Sequence, residues 1–206
     1  MTKPLFISGI GTDVGKTVIA AILVEVLQAD YWKPVQAGNF SGTDSETVRS
    51  LISNTKSVIH PEAYSLKQYS SPHAAAEDEG ILINPTNIKI PTTNNRLIIE
   101  GAGGLMVPLT HNFFIIDLIK QMDCEVILVG QNYLGSINHT LLSIDALRKH
   151  NIPLKGFVMN GAPHKMSEDI IIEYAGMQPL MHISKEREIN QEVITKYADA
   201  LKNIQL

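Results

Sequence analysis

Lys16 and Thr17 follow Gly15, five residues separate Gly15 from Gly9, and apolar stretches lie on both sides. A lysine and a hydroxyl opening a helix after a glycine-rich turn are the residue types that hold phosphate. Backbone N–H groups from Thr12 to Thr17 can converge on phosphate oxygens, helped by the positive end of the helix that follows. Lys16 then spans the terminal phosphates, and the Thr17 hydroxyl ligates Mg2+. The usual phosphate-binding loop (P-loop) is one residue shorter between its glycines. The mechanics survive the extra residue.

Other candidates depend on where the fold puts them. Glu100 ends an apolar run and precedes Gly101-Ala102-Gly103-Gly104, glycines that allow close backbone approach to a ligand. A carboxylate at the carboxyl end of a strand beside the P-loop strand suits Mg2+. Asp44, in "GTDSETV", reads either as a helix N-cap or as a third oxygen ligand, if the fold returns it to the P-loop. Lys33, in "YWKPVQAG", is either an edge lysine with a solvated head or an ammonium aimed into the cleft at a second anionic reactant. Gly135-Ser136 opens either an ordinary capped helix or one whose free N–H groups bind a carboxylate. Asn160 is either a strand-terminating turn residue or an amide that reads a purine edge. The seven histidines show no ligand spacing, and His73 of "SSPHAAAE" falls in a first helical turn. No Gly-x-Ser-x-Gly elbow is present, and nothing activates Cys124, which reads as a core residue.

The elements that must position these groups alternate. Apolar runs at 5–8, 31–34, 96–100, 125–129 and 156–160 are hydrophobic on successive positions, as in strands buried on both faces. Helices are expected at 16–27, 44–53, 136–150 with Ser136 as N-cap, and 190–203 with Val193, Ile194, Tyr197, Ala198 and Leu201 at helical spacing. Strand and helix in alternation predict an α/β fold, P-loop NTPase-like, with a mainly parallel central sheet flanked by helices. Residues 84–95 are the most loop-like stretch and divide nothing, so one domain covering 1–206 is expected. A hydrophobic content of 44% with 18% charged residues argues against disorder, and a net charge of −4 argues against nucleic acid as a partner. No apolar run approaches the roughly 20 residues of a membrane helix. Met1-Thr2-Lys3-Pro4 reaches the glycines too soon for a signal peptide, and a lone Cys124 fits the reducing cytoplasm.

Seven segments in order, "GIGTDVGKT", "KPVQAG", "GTDSETV", "SPHAAA", "EGAGGLMVPL", "LGSINHTLL" and "GFVMNG", closely resemble the dethiobiotin synthetase family across about residues 5–161. The resemblance implies ATP-dependent carboxylation of 7,8-diaminopelargonic acid with CO2. It passes through a carbamate and a carbamic–phosphoric anhydride, and ring closure yields dethiobiotin, ADP and phosphate. By the same resemblance Gly9, Asp13, Val14, Gly15, Lys16, Thr17 and Val18 bind ATP, with Asn160 reading adenine. Thr17, Asp44 and Glu100 hold Mg2+. Lys16, Lys33 and Thr12 act on the reacting groups, and the substrate lies against Thr12, Lys33 and Ala37. Its carboxylate meets Leu134, Gly135 and Asn138 of a second copy, which makes the enzyme a homodimer with its active site at the subunit interface.

Two departures stand out. The family carries a hydroxyl where this chain has Ala37, so that polar contact is lost or passes to Gln36. The late family segment resembling "LGxIP" reads Pro179-Leu180-Met181-His182-Ile183-Ser184 here, which leaves the nucleotide preference open. Two competing readings share the P-loop: another ATP-dependent amidoligase, and a ParA/MinD-like ATPase switch. The switch places a lysine where this chain has Gly11.

Overall fold

The computed structural model describes residues 3–40 and 42–202. Met1, Thr2, Ser41 and the expected helix end at Asn203 lie outside them. Seven strands form the central sheet: β1 (Leu5–Gly9), β2 (Asp30–Trp32), β4 (Ile59–His60), β6 (Leu97–Gly104), β9 (Glu125–Gln131), β10 (Leu154–Asn160) and β11 (Met181–Ile183). Their order is β11-β10-β9-β1-β6-β2-β4, and every pairing is parallel. β3 (Val35–Ala37) pairs in parallel with β5 (Tyr64–Leu66), and β7 (Pro108–Thr110) pairs antiparallel with β8 (Phe113–Phe114).

Burial on both faces explains the uninterrupted apolar runs. Leu5, Ile7, Tyr31 and Ile98 enter one core layer, with α1 (Lys16–Leu27), α2 (Asp44–Leu51), α6 (Lys165–Ala175) and α7 (Gln191–Leu201). Phe6, Trp32, Leu97 and Ile99 enter the other, with α3 (Pro72–Asp78) and α4 (Ile115–Gln121). α5 (Ser136–Lys149) gives Ile144 to the first layer and Leu147 to the second. Among the described residues no helix is long and apolar enough to cross a membrane.

Several boundaries differ from expectation. The strand at 31–34 stops at Trp32, which leaves Lys33 and Pro34 in the break before β3. The strand at 96–100 runs on to Gly104. Its register against β1 slips just past Glu100, where a side chain at Gly101 would meet the Phe6 ring. The helix at 44–53 stops at Leu51, and that at 136–150 stops at Lys149. Ser136 is the first helical residue and not the N-cap. Gly135 takes that place with φ 104°, a left-handed conformation that serine adopts at a cost. Asn190 caps α7 by accepting from the Val193 N–H. Helices α4 and α6 and strand β11 carry no expectation above, because short or mixed runs give weak periodicity.

The amino-terminal edge of the sheet is tied by Asp30, the first residue of β2. Its carboxylate accepts from Val58 N–H (2.9 Å), Asn95 Nδ2 (3.0 Å) and Thr93 Oγ1 (2.6 Å), and faces His60 Nε2 at 3.2 Å. Thr93 and Asn95 belong to the loop at 84–95, so one buried acid fastens that loop to β2 and β4. Burial opposes ionisation of Asp30, but these donors outweigh it and hold the carboxyl below its ordinary range. The stability it contributes is therefore full above the ordinary Asp pKa and is lost as pH falls through the lowered one. Asp30→Asn should cost about 1–3 kcal/mol near pH 7, with the deficit shrinking as pH falls below the ordinary Asp pKa and through the lowered one. Thermal melting of both proteins across that range checks it.

Candidate active site

Connections from β1 and β6 leave in opposite directions across the sheet, β1 toward β2 and β6 toward β9. The crevice beyond the carboxyl ends of these neighbours is where ligands of open parallel sheets collect. A cavity of about 740 Å³ lies there, lined among others by Thr12, Lys16, Lys33, Asp44 and Glu100.

The P-loop is curled by two left-handed residues, Asp13 (φ 57°) and Gly15 (φ 93°). A side chain at Gly15 would collide with the Asn160 amide, which donates to the Val14 carbonyl at 3.0 Å. The turn is thereby locked to the end of β10. No side chain caps α1 and no acid occupies its first turn, so its amino-terminal N–H groups remain available to an anion. The Lys16 ammonium meets the Gly11 carbonyl at 3.2 Å. Burial lowers the Lys16 pKa; Glu100 works against that shift, Lys33 with it, and Asp44 and Asp13 against it.

Thr17 brings the expected metal set together. Its hydroxyl lies 2.9 Å from both Asp44 Oδ1 and Glu100 Oε1. One hydroxyl proton cannot serve both carboxylates at once, so the corner is rich in lone pairs and suits a hard cation. Among the described residues no group of three or more His, Cys, Asp or Glu could hold a metal, so a hard cation at this set would need phosphate and water oxygens to complete its shell. Asp44 is free for this because it is not the N-cap of α2. Thr43 is, in a capping box with Glu46, and Asp44 is the first helical residue.

Lys33 is no solvated edge lysine. It is 5% exposed, and its ammonium pairs with Asp44 Oδ2 and, at 3.2 Å, with Glu100 Oε1. Burial alone would lower its pKa, yet Glu100 and Asp44 outweigh burial and raise it. Asp44, also disfavoured as an anion by burial, is held below its ordinary range by Lys33 and Thr17. At neutral pH the site thus pairs a charged Lys33 with an ionised Asp44.

Ala37 and Val18 also line the cavity, and Val14 is packed in the core, so it offers only its backbone. Gly9, Asn160, Leu134, Gly135 and Asn138 lie outside the lining, the last three at the exposed start of α5. His73 lies outside it too, while Ser70, Ser71 and Pro72 beside it are within. Gln36 does not replace the hydroxyl missing at Ala37, because its amide bonds Asp44 N–H and the Ala37 carbonyl.

Tyr31 has no place in the sequence reading. Wholly buried, it donates to Glu100 Oε2 at 2.8 Å, which turns Oε1 toward Thr17 and Lys33. Burial, with Glu100 alongside, lifts its pKa well above the ordinary tyrosine value, so the hydroxyl keeps its proton. Only a hydroxylated residue among the apolar positions of β2 hinted at this. Tyr31→Phe should leave Glu100 one donor short, costing about 1–3 kcal/mol of stability and weakening the binding of any divalent cation held at this corner by about 10-fold. Urea unfolding and metal titration of the variant measure both.

Comparison with known proteins bears on the family and the fold. Residues 3–193 match the family described as an AAA domain (AAA_26). The chain is 55% identical to the ATP-dependent dethiobiotin synthetase BioD of Cytophaga hutchinsonii, over 95% of each chain. It is 48% identical to the protein of that name from Christiangramia forsetii, over 98% of this chain and 97% of the other. Among solved structures it resembles the septum site-determining protein MinD of Pyrococcus horikoshii, complexed with Mg-ADP (TM-score 0.62, 15% identity, 98% and 97% covered). It also resembles a ParA family ATPase of Chlorobium tepidum (TM-score 0.58, 14% identity, 98% and 92% covered). Those two share the fold alone, whereas near-full-length identity of about half the residues is a family relation: the chain belongs to the ATP-dependent dethiobiotin synthetase family.

Proposed function

We propose that this chain, as one domain over 1–206, converts 7,8-diaminopelargonic acid, CO2 and ATP to dethiobiotin, ADP and phosphate, with Mg2+. The observation that carries the reading is the meeting of two buried lysines, Lys16 opening α1 and Lys33 following β2, in one cavity with Asp44 and Glu100. CO2 adds to one amine of the substrate and leaves a carbamate. A carbamate oxygen attacks the γ-phosphate, expelling ADP and forming the carbamic–phosphoric anhydride. The second amine then attacks the carbonyl carbon, closing the ring as phosphate departs.

No protein nucleophile takes part. Carbamate and triphosphate repel each other, so the protein supplies positive charge and alignment. The P-loop N–H groups and Lys16 hold the triphosphate, and Asn160 keeps its amide oxygen for adenine while its nitrogen holds Val14. Thr17, Asp44 and Glu100 would hold Mg2+, which would supply charge neutralisation at the phosphates. Lys33, released from the carboxylates it holds here, turns its ammonium to the carbamate, with Thr12 beside it.

The substrate carboxylate meets Leu134, Gly135 and Asn138 of a second copy. Leu134 is fully exposed, and Met106 and Leu142 are more than half exposed. A groove of about 380 Å³ includes these last two with Ile10 and Ala146, and Thr12 and Val107 line both it and the main cavity. The active site therefore opens onto an apolar face that a second copy can cover. Cytoplasmic residence suits the lone Cys124, whose thiol burial pushes up to about 12.

Purified protein given ATP, Mg2+, bicarbonate and the diamine should form dethiobiotin in step with phosphate, followed by mass spectrometry. Phosphate release indifferent to the diamine would place the protein with the ATPase switches. Lys33→Ala should spare ATP binding and cut dethiobiotin formation by about 100-fold; equal loss of both would remove Lys33 from its role. Leu134→Glu should shift the protein toward monomer in sedimentation and depress turnover at low protein concentration.

A further inference from the structure

We propose that Gln36 is a positioning residue for Asp44. The assignment rests on reading Thr17, Asp44 and Glu100 as the Mg2+ set. Gln36 is the middle residue of β3. Its neighbours Val35 and Ala37 pack against the apolar layer that holds Trp32 and Leu66, and Gln36, like Ala37, lines the cavity. There it is 5% exposed. Its Oε1 accepts the Asp44 N–H at 3.1 Å, and its Nε2 donates to the Ala37 carbonyl at 3.2 Å.

The Asp44 amide belongs to the first helical residue of α2, one of the donors a helix leaves without an internal partner. The capping box satisfies the N–H groups of Thr43 and Glu46 and does not reach Asp44. A side chain from a different element takes it instead. Ser45 adds a second tie by donating to Glu62 at 2.5 Å. The link between β3 and α2 is tied to β5 through the Gly38 N–H, which donates to the Leu66 carbonyl at 3.0 Å. It contains two left-handed glycines, Gly38 and Gly42, and an exposed Phe40.

The bond's place on the backbone gives it its role. The carboxylate of Asp44 is bonded to Thr17 and Lys33, groups that change partners when metal and substrate bind. The Gln36 contact involves the amide and persists through that exchange. It fixes the Asp44 Cα against the P-loop while the carboxylate trades one cation for another. Ligand-orienting partners of this kind are typically worth 10–100-fold in metal affinity.

The test titrates Mn2+ into wild type, Q36L, Q36E and D44N, each with ADP, by electron paramagnetic resonance, alongside melting of the metal-free proteins. Q36L should weaken Mn2+ binding about 10-fold with a near-wild-type melting temperature. Q36E keeps an acceptor for the Asp44 N–H and should bind at least as well as wild type. In turnover, Q36L should raise the Mg2+ requirement and leave the KM for the diamine unchanged. Normal Mn2+ binding by Q36L beside a D44N that fails to bind would overturn the role of Gln36 alone. A raised diamine KM that Q36E does not rescue would also overturn it, in favour of direct substrate contact. D44N binding like wild type would overturn the metal reading and this inference with it. Should Q36L fail to fold, Q36M is judged by the same outcomes.

Discussion

Two carboxylates and an ammonium share one buried corner, and the surrounding structure exists to hold them there. At 3.2 Å, the Lys33–Glu100 attraction is roughly 5 kcal/mol for an effective dielectric near 20. Removing the two charges from water costs several kcal/mol each, so the cluster contributes little net stability. Its value is specificity of charge. Lys33 offsets the repulsion between two carboxylates that lie within bonding distance of the same hydroxyl, so the charges of the corner are arranged in advance. Such preorganisation lowers the cost of stabilising a charged transition state.

Each member of the corner comes from a different element. Glu100 stands in β6 just before its register slips, Asp44 opens α2, Thr17 is in the first turn of α1, and Lys33 follows β2. Their convergence follows from the sheet order, which sets β6 directly beside β1 and β2 directly beside β6. Secondary holders then set the angle of each side chain. Tyr31 turns Glu100, and Asn160 and Gly15 lock the curl of the P-loop.

The two ends of the sheet are used differently. At the amino-terminal edge Asp30 gathers donors from two neighbouring loops and acts as a fastening. At the carboxyl-terminal edge the polar groups are only partly satisfied by one another, which leaves them able to exchange partners with a ligand. The apolar groove beside Thr12 extends that edge toward the exposed Met106 and Leu142.

The sequence alone determined the α/β class, the P-loop and its helix, and the identity of the acids and lysines, because these depend on local spacing and on runs apolar at successive positions. Helix α1 lies at the expected residues 16–27, and Lys16 and Thr17 need only the turn before them. Tertiary structure decided everything that required distant segments to meet. Whether Asp44 caps its helix or faces the cavity could not be read from "GTDSETV", since Thr43 and Asp44 are both competent caps. Whether Lys33 is solvated or buried depended on a strand break and on acids 11 and 67 residues away. Tyr31 looked like a strand residue, and Gln36 like a stand-in for the hydroxyl missing at Ala37. Their roles arise from the face each strand turns toward the cavity, which is fixed by register and packing and not by the residues themselves.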